Sequence, residues 1–307
     1  MTESSPNSSL PIGIRSAQSA VPTSTPQPSQ NPIVSKQHES TVLKRPSKSG
    51  AFSLPKLRLE IRELSHDASY TFLQAVNASK ALAECVQSVL SLLYLSPNAK
   101  MTTVPSTRSV TLILRPMEGV AYTTGSDLDD DHKEIHFSLD YIHGVSEERK
   151  KDEIMGVLTH EMVHCYQYNA FGTCPGGLIE GIADWVRLNA GLSPPHWKKE
   201  ASGKWDAGYQ HTGYFLEYLE QRFGSGTIRR MNEKLRIEKY QEKRFWTELI
   251  GRPVEQLWGD YCDLLDKEKK KAEEEECVLV EKEDTSSPND CEASAPTPTN
   301  LGYEPII

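Results

Sequence analysis

Val157-Leu-Thr-His-Glu-Met-Val-His164 and, after the turn-rich connector Gly172-Thr-Cys-Pro-Gly-Gly177, the run Gly177-Leu-Ile-Glu-Gly-Ile-Ala-Asp184 decide how this chain is read. On an α-helix, residues three and four apart share a face, so His160, Glu161 and His164 project from one side of a single helix. Two imidazoles at i and i+4 can bind one metal ion, and Glu161 between them sits where it can take a proton from a water at the ion's open position.

Working outward, Glu180 falls on a segment whose apolar positions Leu178, Ile182, Trp185 and Val186 have the period of an amphipathic helix. Asp184 is one turn further along the same face. Zincins whose third ligand is Glu complete their shell in this way: the first carboxylate binds zinc and the second orients a ligand imidazole. The expectation is therefore Zn²⁺ held by His160, His164 and Glu180, with Asp184 behind His160 or His164. A lone histidine on an apolar face is more often a hydrogen-bonded core residue, but two histidines and three carboxylates in ligand register argue for a metal.

Composition bounds the rest. The chain has 307 residues and a net charge of −9. Residues 1–55 are rich in Ser, Pro, Thr and Gln without a periodic apolar pattern, and 269–307 run from a Lys/Glu block into an acidic, Pro/Thr-rich end; both are expected to be disordered tails. Residues 56–268 are long enough for one domain with its own core. No basic stripe with interleaved aromatics points to nucleic acid, and no apolar run is long enough to span a membrane. The N-terminus lacks the apolar segment of a secretory signal, so the expectation is an intracellular, cytoplasmic chain. The six cysteines (85, 165, 174, 262, 277 and 291) lack CxxC spacing, and Cys165 and Cys174 are expected as buried thiols rather than a bridge.

In chain order, Leu57-Arg-Leu-Glu-Ile-Arg62 reads as a strand, and residues 68–95 as one long helix (Tyr70, Leu73, Val76, Leu82, Val86, Val89, Leu93). Ser109–Pro116 reads as an inner strand, Gly119–Thr124 as a short one, and Gly125–Lys133, with its Asp cluster, as a solvated loop. Glu134–Ile142 is the strand expected at the sheet edge above the metal, where an extended peptide can add and where His136 and Ser138 can face the cleft. The ligand helix is predicted from a Ser146 cap to about Asn169, burying Ile154, Leu158, Met162 and Cys165. Helices are predicted over Trp205–Phe223, Thr227–Arg236 and Pro253–Asp266.

Gly156-Val-Leu-Thr-His-Glu-Met-Val-His164, Pro175-Gly-Gly-Leu-Ile-Glu-Gly-Ile-Ala-Asp-Trp-Val-Arg-Leu-Asn-Ala-Gly191, His196-Trp197, Gly208-Tyr209 and Val254-Glu-Gln-Leu-Trp-Gly-Asp-Tyr261 resemble the plant basic secretory protein family of zinc metallopeptidases, over about residues 56–266. The resemblance implies a zincin-like α+β metallopeptidase domain, a small mixed sheet followed by a mostly helical half, in a secreted setting. This chain departs from that setting in its acidic charge and absent signal segment. Peptide-bond hydrolysis is then expected, with Glu161 as general base and a peptide or protein as substrate. Related zincins supply an oxyanion donor from a helix after the third ligand; Tyr209 is the first choice here, His211 the second and Tyr214 the third. Two rival readings remain: a catalytically inactive, zinc-stabilised scaffold, and a zinc hydrolase of non-peptide amides. Three protein ligands leave a position open for water, which favours an enzyme.

Overall fold

The computed structural model describes residues 51–284. The expected tails fall mainly on residues 1–50 and 285–307, outside the described residues. Its architecture is mixed α+β, a four-stranded sheet with a helical majority. Strands β1 (Lys56–Ile61), β2 (Ser109–Arg115) and β4 (Asp129–Ser138) run parallel, and β3 (Ala121–Ser126) closes the order β1-β2-β4-β3 antiparallel to β4.

The parallel β1–β2 pair needs a long crossover, supplied by α1 (Asp67–Ala75) and α2 (Ala78–Tyr94). These are two helices rather than the one predicted. Asn77 breaks the pattern by capping α2, its side chain accepting from Lys80 N at 3.0 Å. The break resets the helical phase: Ala68 and Phe72 are buried, while Tyr70 and Leu73, expected inside, are exposed. One face of the sheet, Val110, Leu112, Leu114, Ile135 and Phe137, joins Leu82, Val86 and Val89 of α2 in the core.

Two expectations about the sheet are corrected. The Asp-rich segment is not a loop: β3 extends to Ser126 and β4 begins at Asp129, with a register shift at Gly125/Ser126. Its charge is matched by neighbours, since Arg108 pairs with Asp129 and Asp131, and Lys133 lies 2.8 Å from Asp130. Moreover β4 is an inner strand and β3 is the edge. β4 also stops at Ser138, whose hydroxyl caps α3 (Leu139–Gly144) by accepting from Tyr141 N at 3.2 Å. His136 and Ser138 consequently do not reach the cleft. His136 is buried against Tyr122, the two rings stacked at 4.5 Å, and Ser138 donates to Met117 O at 2.7 Å.

Helix α4, which carries His160, Glu161 and His164, spans Glu147–His164, ending sooner than predicted, and Ser146 makes no side-chain cap hydrogen bond. Its apolar face buries Ile154, Leu158 and Met162, followed by Cys165. The chain then reverses through Ala170 (φ 55), Phe171 (φ 57) and Gly172 (φ 77) into α5 (Gly176–Asn189). Among the described cysteines, Cys85, Cys165, Cys174 and Cys262 are free thiols.

Helix α6 (Tyr209–Phe223) starts later than predicted, because Gly208 and Tyr209 have positive φ. α7 (Thr227–Ile237) follows, then α8 (Glu242–Ile250), a helix the apolar pattern did not reveal. α9 runs Val254–Asp284, helical well into the segment expected as a tail. That segment is made of strong helix formers, and Lys269–Glu273 and Lys271–Glu275 pair at i,i+4, a few tenths of a kcal/mol each at about 0.2–0.5. No helix among the described residues is long and apolar enough to cross a membrane.

Candidate active site

Small residues bring α4, α5 and α6 together. A Cβ at Gly177 would lie 1.8 Å from the carbonyl oxygen of Asp206, and one at Gly181 would lie 2.3 Å from Thr212 Cγ2. Only hydrogen at these positions lets α5 approach α6 and the loop before it. Gly213 answers from α6, where a Cβ would stand 3.3 Å from Asp184 Cβ. Glu180 and Asp184 are thereby held on the face of α5 turned to α4.

The five residues picked out at the start meet there. His160 Nε2 is 3.0 Å from Glu180 Oε2 and 3.3 Å from His164 Nε2, and His164 Nε2 is 3.7 Å from Glu180 Oε1. Asp184 stands behind His160, its Oδ1 2.6 Å from Nδ1. That bond puts a proton on Nδ1; in the imidazolium Nε2–H also donates to Glu180, and in the neutral ring Nε2 carries the lone pair a metal would take.

His164 has a corresponding partner in Gln167, whose amide lies 2.6 Å from Nδ1. With the amide nitrogen towards the ring, Gln167 Oε1 is buried without a partner. Turned the other way, the amide has its oxygen accept the Nδ1–H of His164, which again frees Nε2, while the amide nitrogen takes the enclosed place. The ligand atoms of His160, His164 and Glu180 lie within 4.8 Å of one another, and with both imidazoles neutral they are three acceptors turned to one point. Such a set fits a divalent cation.

Burial and mutual contact shift each of these groups. Burial disfavours the charged form of His160, but hydrogen bonds to Asp184 and Glu180 outweigh it and raise the imidazole to about 9. Burial, with the neighbouring His160, pushes His164 down to about 4. Glu180 is drawn below the ordinary carboxylate range, because contact with His160 and His164 overcomes its burial. Glu161 is raised, chiefly by burial, with His160 and the Thr123 hydroxyl opposing. Partial desolvation is what a carboxylate needs to act as a base near neutral pH.

Strand β3 forms the opposite wall. Thr123 Oγ1 reaches Glu161 Oε2 at 2.7 Å and the Glu161 carbonyl oxygen at 3.0 Å. Between strand and helices lies a cleft of about 720 Å³, lined by His160, Glu161, His164, Glu180, Asp184 and Tyr209 together with Val120–Thr123.

Tyr209 stands over the site, its ring 6.2 Å from that of His160 and nearly parallel at 16°. It is 58% exposed with φ 47, a conformation that costs a non-glycine residue on the order of 1–2 kcal/mol. Hydrogen bonds hold the turn in place: Gly208 N donates to Thr212 Oγ1 at 2.9 Å and Thr212 Oγ1 to Trp205 O at 2.8 Å. The Glu180 carboxylate, with some burial, raises the phenol, so it stays protonated as a donor.

His211 is elsewhere. Its ring packs 5.0 Å from Trp258 and its Nε2–H donates to Lys204 O at 3.0 Å, outside the cleft lining, because the helical turn points it away from Tyr209. Tyr214 packs edge-on against Trp197 at 6.4 Å.

Thr123 and Gln167 were missed in the sequence. Gln167 lies past the end of α4, so helical spacing does not account for its contact with His164. Nothing local marks Thr123, whose role depends on strand pairing.

Neither curated proteins nor solved structures provide a match. A family model does: BSP, described as peptidase of plants and bacteria, matches residues 54–261, from the first strand to α9 and including every residue of the site. The chain belongs to this family of peptidases of plants and bacteria.

Proposed function

We propose that the protein is a zinc-dependent, zincin-like metallopeptidase that hydrolyses peptide bonds in the cleft between β3 and α4–α5. The observation that carries this reading is the convergence of His160 Nε2, His164 Nε2 and the Glu180 carboxylate, with Glu161 beside them and a free strand edge opposite. Two imidazoles and one carboxylate form a borderline donor set suited to Zn²⁺, with room for further ligands.

Held there, Zn²⁺ supplies Lewis acidity, polarising a carbonyl and lowering the pKa of water. Glu161 takes the proton of the attacking water and passes it to the leaving amine, while the Thr123 hydroxyl aims its carboxylate. Asp184 and Gln167 fix the tautomers and tilts of His160 and His164. Tyr209 offers its phenolic O–H to the developing oxyanion.

β3 provides the bed for an extended substrate. Val120 O accepts from Ser138 N at 2.9 Å, so alternation along the strand turns the backbone groups of Tyr122 and Thr124 towards β4 and those of Ala121 and Thr123 to the free edge. A peptide strand can add to that edge by main-chain hydrogen bonds, largely irrespective of its side chains.

Purified full-length protein should contain about one Zn²⁺ per chain, as a single three-ligand site implies, and His164→Ala should contain almost none. Chelator should abolish cleavage of a quenched peptide, and added Zn²⁺ should restore it. Undiminished cleavage by the chelated, metal-free protein would overturn the proposal.

A further inference from the structure

Beyond the metal ligands, the cleft continues along the α4–α5 seam to Arg187, the only Lys or Arg among its described lining residues. Arg187 lies on the same face of α5 as Glu180 and Asp184. It is 7% exposed, and its surroundings hold the guanidinium rigidly. Nε donates to Leu192 O at 3.0 Å, Nη2 donates to Glu153 Oε1 at 3.0 Å, and Trp197 stacks over the group at 5.2 Å.

Helix α4 gives way to admit it. A Cβ at Gly156 would lie 2.6 Å from both Nε and Nη2, so the chain keeps a glycine in mid-helix, at roughly 0.5–1 kcal/mol, where the guanidinium passes.

This arrangement does more than tie two helices together. Glu153 is shared: its Oε1 also accepts from Tyr141 Oη at 2.9 Å, and its Oε2 lies 3.6 Å from Arg149 Nη2. Arg149 has a second carboxylate in Asp152, its Nη1 3.8 Å from Oδ2, so Glu153 is the acidic partner of Arg187. Among the described residues Arg187 Nη1 makes no hydrogen bond, and it is not closed off from solvent, so it can take an acceptor that enters the cleft. Trp197 covers a face of the guanidinium plane, so an acceptor must approach edge-on, where Nη1 offers it a charge-assisted hydrogen bond.

We propose that Arg187 anchors a substrate subsite for a carboxylate, either an acidic side chain or a free C-terminus, further along the cleft from the bond that is cut. The inference rests on the peptidase reading and names the substrates preferred at that site. The other cleft carboxylates, Glu161, Glu180 and Asp184, gather around the metal ligands, which leaves Arg187 as the place where substrate negative charge is matched.

The test uses full-length, zinc-loaded protein and one parent peptide. In one arm Glu, Gln or Lys is placed in turn at each position around the cleaved bond; in the other the peptide ends in a carboxylate or an amide. The expected result is a kcat/KM about tenfold or more higher for Glu than for Gln at one position, or for the free carboxylate over the amide, as charge-assisted bonds to a guanidinium imply. The arm that responds identifies the source. Arg187→Gln should bring the ratio close to one. If that variant does not fold, Glu153→Gln, which unpairs the guanidinium, should raise the ratio instead.

No preference in the wild type at any position, or a preference that survives Arg187→Gln or fails to rise in Glu153→Gln, overturns the subsite. Calorimetric binding of the same peptides to wild type separates the two proposals. With no peptide cleaved, the peptidase reading fails, while equal binding of Glu and Gln peptides sinks the subsite on its own.

Discussion

Thr123 Oγ1 donates to Glu161 Oε2 at 2.7 Å, a hydrogen bond that joins the edge strand to the proposed base on α4. One side chain thereby links the strand proposed to receive substrate to the proposed base. Thr123→Val keeps the shape of the strand and removes the donor. A hydrogen bond to a charged group contributes about 1.5–3 kcal/mol, so kcat should fall roughly tenfold to a hundredfold with KM little changed. Thr123→Ser should restore most of it. Steady-state kinetics on a single peptide check this, and equal loss in the Ser and Val variants would dissociate the hydroxyl from the effect.

Glu161→Gln removes the base but leaves His160, His164 and Glu180 in place. Zinc content should stay near that of wild type while hydrolysis falls at least about a hundredfold, within the range general-base catalysis contributes. Metal analysis and a peptide assay on one sample read both outcomes. A variant that cleaves as fast as wild type would remove Glu161 from the mechanism.

The imidazole supports should act on affinity first. Asp184→Asn weakens the acceptor for His160 Nδ1–H, and Gln167→Leu removes the one for His164. Losing such a partner typically costs about 10- to 100-fold in metal affinity. Competition with a zinc-binding dye should show a loss in each variant, and Gln167→Glu, which keeps an acceptor oxygen, should bind more tightly than Gln167→Leu.

Helices α4 and α5 were legible in the sequence because their information is local. His160, Glu161 and His164 share a face by helical periodicity alone, as do Glu180 and Asp184. Strand order was not legible, since whether β3 or β4 is the edge depends on pairing with β2, distant in the chain. The acidic run at 129–131 hid a strand because its neutralising partner, Arg108, lies across the sheet. Arg187 was hidden for a related reason: its place in the cleft depends on Gly156 on another helix and on Trp197 in the following loop. His211 was an error of phase, two positions past Tyr209 and so on another side of α6.

Tyr209→Phe tests the phenol without touching the unusual backbone, because both residues carry the same φ penalty. If the hydroxyl stabilises the oxyanion, kcat should fall by about a hundredfold with little change in zinc content. Tyr209→Gly instead relieves the positive φ and removes the ring that lies over His160. It should be at least as thermostable as Tyr209→Phe and no more active. A Phe variant with wild-type kcat would leave the ring, rather than the hydroxyl, as what matters at this position.

Gly177→Ala sets two opposing effects against each other. Alanine favours a helix over glycine by about 0.8–1 kcal/mol, which predicts a gain if α5 stood alone. Here the added methyl would meet a backbone oxygen of Asp206 at 1.8 Å, which cannot move as the tip of a side chain can. The helix or the loop must shift, and overpacking of that kind typically costs about 1–3 kcal/mol, more than propensity returns. The shift also displaces Glu180, three residues on, from His160. Gly177→Ala should therefore lower both the thermal midpoint and zinc affinity, whereas Gly176→Ala, whose Cβ meets nothing within 4 Å, should lower neither. Thermal unfolding with and without saturating zinc separates the two losses: a Gly177→Ala protein as stable and as tightly zinc-bound as Gly176→Ala would show that the close approach of α5 to the 206–208 loop does not position the third ligand.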